Sequence, residues 1–282
     1  MSDFAIEIKD LTKKFENFTL GPINLNIPRG TIVGYIGQNG AGKSTTIKLL
    51  LGLLKKDSGS IEVLGESDTS NTEVKNKIGV VFDDLFVPEE LSLKNLEKFC
   101  SMVYDEWDRE AFFQYASKFK LPEKQLIKSY SRGMRMKLSI AMALSHNAEL
   151  LLLDEATSGL DPIVRDEILD MLMDFMQDEN HSILISSHIL SDLEKIADYI
   201  AFINDGKILF MEEKDRLEDD YAICMLSNEE MQNIDQAAII GKRVNSFGVE
   251  VLAKRDMLPN NLNMKKPSIE EIMLYFVKGG ER

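Results

Sequence analysis

Nine consecutive residues, Gly37-Gln38-Asn39-Gly40-Ala41-Gly42-Lys43-Ser44-Thr45, have the composition and spacing to hold a chain of phosphates. They fit the pattern G-x-x-x-x-G-K-[ST]. Gly37, Gly40 and Gly42 let the backbone curl until its N–H groups point inward at phosphate oxygens. Lys43 supplies a point charge for the β- and γ-phosphates, and Ser44 offers a hydroxyl to Mg2+. A glycine-rich turn ahead of a lysine also arises by chance, so its context decides the reading. The apolar run 31–37 before it reads as a strand, and 43–54 after it as a helix stopped near Asp57–Gly59. A helix beginning at Lys43 adds its positive dipole end.

A second constellation lies at 150–155, LLLLDE, where two acids end an apolar run. In open α/β sheets ligands sit at the carboxyl ends of the strands. Asp154 there is placed to bind Mg2+, directly or through water. Glu155 is placed to polarise an attacking water as general base. A strand that simply ends in polar residues is common; it is the pairing with the upstream phosphate loop that gives the acids meaning.

The elements that must position these groups follow from periodicity. Phe4, Ile6 and Ile8 alternate as in a half-buried strand, as do Ile23, Leu25 and Ile27. Segments 61–65, 78–82 and 182–187 are further strands. From about Leu85 to Asn147 strand signals fade and helical spacing takes over, which predicts a helical insertion within an α/β domain. A helix follows Pro162, with Ile168, Met171, Leu172 and Phe175 on one side. Segments 199–203 and 207–211, joined through Asn204-Asp205-Gly206, predict a hairpin. After about Lys214 the patterns weaken. Segment 249–254 reads as a strand, and 268–279 as a helix with Ser268 as N-cap and Glu271 completing a capping box. These boundaries predict a main domain over 1–214, with the insertion at about 85–147, and a small accessory region over 215–282.

Bulk properties bound the partners. The 282 residues carry a net charge of −14, which disfavours nucleic acid and anionic lipid as direct partners. The two cysteines, Cys100 and Cys224, lack CxxC spacing, so a disulfide scaffold or zinc site is not expected and a reducing cytoplasm is. No run approaches the roughly 18 apolar residues of a membrane span, and no signal pattern opens the sequence. A membrane process served by this chain needs its channel from another chain.

Over about residues 4–213 the sequence resembles the ATP-binding subunit of ABC transporters. The resemblance implies an α/β fold: a P-loop NTPase core with an antiparallel β subdomain, an inserted helical subdomain and a small α+β C-terminal appendage. It also implies roles for further residues. YSRGM (130–134) stands where the family carries LSGGQ; Ser131 and Gly133 are kept and would bind the γ-phosphate held by a second subunit. From the residues alone, Ser131 is equally a helix N-cap, and both roles use one geometry. SGLD (158–161) resembles the loop that crosses the dimer interface, with Asp161-Pro162 also reading as a helix start. His188 matches the family's switch histidine at the γ-phosphate. Phe15 matches the aromatic residue that stacks on adenine. Asp83 stands where the family has a Gln that contacts Mg2+. Asp83 with Arg132-Gly133-Met134 is similar to ABC-2 type exporters of Gram-positive bacteria.

The expected mechanism is an ATP-driven switch. Two nucleotide-binding domains, as a homo- or heterodimer, sandwich two ATP molecules, and hydrolysis through Glu155 with His188 releases them. The expected partner is an integral membrane permease subunit that contacts a surface near Asp83–Leu93, with the chain peripheral on the cytoplasmic face. Two other readings remain: a soluble ATPase of the same family acting on ribosomes or DNA, and an ATP-gated clamp without turnover. Acidity argues against the first, and intact Lys43, Asp154, Glu155 and His188 against the second.

Overall fold

The fold was analysed in a computed structural model that describes residues 2–245, 248–259 and 261–278. The chain opens with two antiparallel strands, β1 (Phe4–Lys14) and β2 (Thr19–Pro28). β3 (Ile32–Ile36) feeds the glycine loop and α1 (Lys43–Leu50). β4 (Ser58–Val63) returns to pair with β1, and α2 (Thr72–Asn76) leads into β5 (Ile78–Val81). Three helices follow without an intervening strand: α3 (Leu93–Val103), α4 (Arg109–Lys118) and α5 (Arg132–Ala143). Then come β6 (Leu150–Asp154), α6 (Pro162–Phe175), β7 (Ser182–Ser187), α7 (Leu190–Ile196), β8 (Tyr199–Asn204) and β9 (Lys207–Glu213). The chain continues through α8 (Lys214–Asp220), β10 (Tyr221–Leu226), α9 (Asn228–Asn233), β11 (Ile239–Asn245), β12 (Gly248–Lys254), β13 (Met264–Lys265) and α10 (Ile269–Lys278).

Three sheets result among the described residues. The largest has the order β5-β6-β7-β3-β8-β9, parallel except for β9 at its edge. Its five parallel strands are largely buried on both faces, which is why they read as apolar runs, while the edge strand β9 is not. Successive side chains point to opposite faces, so this sheet separates two cores. Ile32, Ile36, Leu151, Leu153, Ile183 and Ile185 join the helices α3 to α6 on one side. Val33, Tyr35, Leu150, Leu152 and Leu184 join β1, β2 and α1 on the other. Each fully buried Leu or Ile contributes about 1.5–3 kcal/mol relative to exposure.

The third sheet, β11-β12-β10-β13, has its own core on one face, with Ala222, Cys224, Leu226, Val249 and Val251. Its other face, through Ile223 and Leu252, meets α10 and merges with the main core. Phe276 on α10 packs 4.9 Å from Phe210 on β9 between ring centroids and 5.9 Å from Tyr221, so α10 lies between this sheet and the larger one.

Several boundaries differ from the sequence reading. α1 ends at Leu50 rather than near 54, because Gly52 takes a left-handed conformation (φ 67°) and turns the chain out. α5 spans Arg132–Ala143, its start fixed by the Ser131 side chain. The C-terminal helix forms from Ile269; Gly279, included in the expectation, lies outside the described residues. The 204–206 hairpin pairs Asn204 with Lys207, and Asp205 and Gly206 both have positive φ (45° and 74°), as a two-residue turn of the I′ kind requires.

Candidate nucleotide site

β3 delivers the phosphate loop at the carboxyl edge of the large sheet. Across that edge Tyr35 pairs with Ser186, and Ser186 pairs with Asp154, so three strand ends stand in one row. The loop's glycines are needed for space. A Cβ at Gly37 would lie 2.4 Å from the carbonyl oxygen of Ile203, and Gly42 has φ 114° with Leu20 crowding its open side. Thr46, fully buried, ties α1 back to the loop through Gly42 O (3.0 Å) and to the strand through the Tyr35 hydroxyl (3.1 Å). Burial drives the Tyr35 phenol pKa upward, so it stays neutral.

Lys43 is 6% exposed, and its ammonium is held three ways. It donates to Gly37 O at 2.7 Å and Gln38 O at 3.3 Å, and pairs with Glu155 Oε1 at 3.3 Å. The other carboxylate oxygen of Glu155 lies 2.5 Å from His188 Nδ1. A carboxylate only accepts, so Nδ1 carries the proton. Glu155 thus bridges the loop lysine and the histidine that follows β7. It sits at φ 54°, a left-handed conformation that turns its side chain back over the strand ends.

Asp154, 4% exposed, accepts from the Ser186 hydroxyl at 2.7 Å. The Glu155 N–H donates to Ser186 O and approaches Ser186 Oγ, both at 3.1 Å. Ser186 therefore positions both acids. The sequence reading placed it in a strand and gave it no role; a serine within an apolar run was the available signal. Gly206 was missed too. Its N–H donates to Ala41 O at 3.0 Å, bracing the phosphate loop from the β8–β9 turn.

The remaining candidates form other groups. Ser131 caps α5 by accepting from Met134 N at 3.3 Å, and Asp161 caps α6 through Ile163 N and Val164 N. The two caps are neighbours: a Cβ at Gly133 would lie 3.5 Å from Val164, and the Arg132 guanidinium covers Gly159 in the turn before Asp161. Gln38 and Asn39 lie in the loop, and Ser44 and Thr45 begin α1 half-buried. Phe15 is 43% exposed and stacks on Phe18 at 6.2 Å. Asp83 lines a cleft of about 390 Å3 with Asp84, Arg132 and Arg135, none of which belongs to the phosphate-loop group.

The donor chemistry suits a hard cation. Ser44 and the buried Asp154 offer oxygen, and the described residues contain no group of three or more His, Cys, Asp or Glu able to cage a metal alone. Mg2+ is typically bound in this way, by one or two protein oxygens together with substrate phosphates.

A glycine loop at the end of a central parallel strand, with paired acids at the end of β6 and one strand, β7, between them, defines a P-loop nucleoside triphosphatase. The chain belongs to the ABC transporter family, whose model matches residues 20–158. It is 38% identical over 213 residues to the lantibiotic transport ATP-binding protein SrtF of Streptococcus pyogenes, covering 74% of this chain and 91% of that one. It is 36% identical over 208 residues to the bacitracin transport ATP-binding protein BcrA of Bacillus licheniformis, covering 72% and 68%. A solved ATP-binding subunit of an ABC transporter superposes with a TM-score of 0.69 at 26% identity, covering 76% of this chain and 92% of that one. The protein is an ATP-binding, ATP-hydrolysing subunit of this family, whose members dimerise and work with membrane subunits. No helix among the described residues is long and apolar enough to cross a membrane.

Proposed function

We propose that this chain powers outward transport by a separate permease, through ATP-driven pairing of its nucleotide-binding domain with a second one. The observation that carries the site assignment is the bridge from Lys43 through Glu155 to His188. Glu155 pairs with Lys43 at 3.3 Å. Incoming phosphates compete for that lysine, which frees the carboxylate to take a proton from water. His188 holds Glu155 in orientation through its Nδ1–H, and its Nε2 faces the γ-phosphate, whose oxygens only accept, so Nε2 carries the proton of that contact. Gly37–Thr45 cradle the phosphates and Phe15 stacks on the base.

Ser44 and Asp154 would hold Mg2+, which offsets phosphate charge when bound. Asp83 would join them in this reading, and Arg132 and Arg135 line the same cleft as it does. Ser131 and Gly133 of one domain cap the γ-phosphate held by the other, with Asp161 at the seam. The nucleotide-binding domain spans 1–214 and 215–282 is an accessory region.

The permease surface is the insertion near Asp83–Leu93. There Phe86 is 77% exposed and packs edge-on against Phe82, while the Glu89–Arg135 ion pair ties the segment to α5. This contact would hold the chain at the cytoplasmic face of the membrane. Relatives named for bacitracin and lantibiotic transport support the outward direction.

The test is Glu155→Gln. It should bind ATP and elute as a stable dimer with steady-state phosphate release reduced at least about 100-fold, the scale of losing a general base. Wild-type turnover in this variant would remove Glu155 from the base role.

A further inference from the structure

We infer that Arg165 and Asp192 form a positioning pair that couples the turn at Asp161 to His188. The inference rests on the roles proposed for those two residues. Arg165 lies in the first turn of α6, and its N–H donates to Asp161 O at 3.0 Å. Asp192 lies in the first turn of α7, two residues after its start and four after His188. Arg165 Nη2 meets Asp192 Oδ1 at 3.1 Å, and the Asp192 side chain is 3% exposed.

A buried carboxylate needs a compensating charge, and losing one partner leaves the other stranded. Here that compensation also fixes a distance between two functional loops. Arg165 Nε and Asp192 Oδ2 have no partner among the described residues, so the single 3.1 Å contact is what joins these two side chains. On the solvent side Lys195 of α7 reaches Asp166 and Asp170 of α6 at 2.5 and 3.3 Å, closing the same two helices together. The loop carrying His188 has little freedom of its own: Ile189 N donates to Ser187 Oγ at 2.9 Å.

A shift of the α6 start therefore carries α7 with it. The path runs from Asp161 through Arg165 and Asp192 to His188, then through Glu155 to Lys43. Contact of a second subunit at Asp161 thereby sets the orientation of the histidine on this subunit's own carboxylate. Arg165 and Asp192 touch no substrate in this account; they act through His188.

The experiment compares Asp192→Asn, Arg165→Met, Arg165→Lys and Glu155→Gln in the purified chain. Three readouts are taken: ATP turnover, ATP affinity, and the imidazole Cε1–H NMR resonances. With three histidines in the chain, His188 is separable from His146 and His181. Asp192→Asn and Arg165→Met should lower turnover about tenfold while ATP affinity stays within about twofold, a mid-range coupling for contacting residues. The His188 resonance should move while those of His146 and His181 stay, and Arg165→Lys should recover most of the turnover. Folded Asn and Met variants with wild-type turnover, or slowed variants with an unmoved His188 resonance, overturn the inference. If Asp192→Asn fails to fold, Arg165→Met, at a partly exposed position, carries the same test. Retained turnover in Glu155→Gln would instead sink the underlying site assignment. An inactive Glu155→Gln beside active pair variants sinks this inference alone.

Discussion

Glu155 Oε2 stands 2.5 Å from His188 Nδ1 while Glu155 Oε1 stands 3.3 Å from Lys43 Nζ. One carboxylate therefore serves both the lysine ammonium and the imidazole, whose Nδ1 donates to it. With Nδ1 donating, Nε2 is the nitrogen left for a ligand. His188→Ala should reduce ATP turnover at least about 100-fold, the usual scale for a lost acid–base or orienting group. ATP affinity should change only a few-fold. Phosphate-release kinetics with equilibrium nucleotide titration separate the two, and a large affinity loss with normal turnover would contradict the orienting role.

Lys43 is enclosed by two carbonyls and one carboxylate, so its charge is held at the loop. Lys43→Ala should weaken ATP and ADP binding by about tenfold or more, the loss of a charged hydrogen bond of roughly 1.5–3 kcal/mol. Fluorescent-nucleotide titration checks this. Unchanged affinity would contradict the loop assignment.

Ser186→Ala removes the hydroxyl that Asp154 accepts from, leaving a buried carboxylate oxygen without that donor. The expected cost is about 1–3 kcal/mol of stability. Turnover should fall as well, because the Glu155 backbone loses its second contact. Urea unfolding and phosphate release on the same preparation report the two effects.

His146 is buried, stacks on Tyr104 at 4.3 Å between centroids and bonds Asn76 O through Nδ1 at 2.9 Å. Burial holds its pKa below the ordinary 6.5, and the Asn76 bond offsets this only in part. As pH falls the unfolded chain takes the proton first, so the favourable contribution is full above about 6.5 and is lost as pH drops through the lowered folded value. The melting temperature should fall between pH 7.5 and 5.5, and by less in His146→Phe, which keeps the stacking. Equal slopes in the two proteins would clear His146 of the effect.

The capping box at α10 is the simplest stability test. Ser268 N donates to Glu271 Oε2 at 2.9 Å and Glu271 N to Ser268 Oγ at 3.2 Å. The Lys265 ammonium and the Ser268 N–H hold the Glu271 carboxyl below its ordinary range. Ser268→Ala should cost about 1 kcal/mol in thermal or urea unfolding. ATP turnover should stay unchanged, since α10 packs on β9 and the accessory sheet.

Signals that are local in the chain were legible. LLLLD and SILISS read as buried strands at the boundaries observed, and Asn204-Asp205-Gly206 named its own turn. Ser131, Asp161 and Ser268 announced helix starts because a cap is a short-range interaction. What the sequence could not show was made by distant pairings. Ser186 matters because β7 lies between β3 and β6, an order no local pattern encodes. β10 escaped notice because Tyr221–Leu226 is buried at Ala222, Ile223 and Cys224 together, which hides the alternation of a two-faced strand. Arg165 and Asp192 lie 27 positions apart and read singly as surface charges.

The Gly206 peptide has one further consequence. Its N–H holds Ala41 O and its carbonyl accepts from Gly21 N at 2.7 Å, so the loop and the start of β2 are tied by main-chain atoms alone. Main-chain ties do not care which side chains surround them. Side chains of the flanking strands can therefore change and still leave the loop in register, provided position 206 keeps no side chain and position 205 a residue that tolerates positive φ. A methyl group at 206 would meet the Thr19 carbonyl at 2.2 Å. The tolerance of the neighbourhood and the intolerance of this one residue have the same origin.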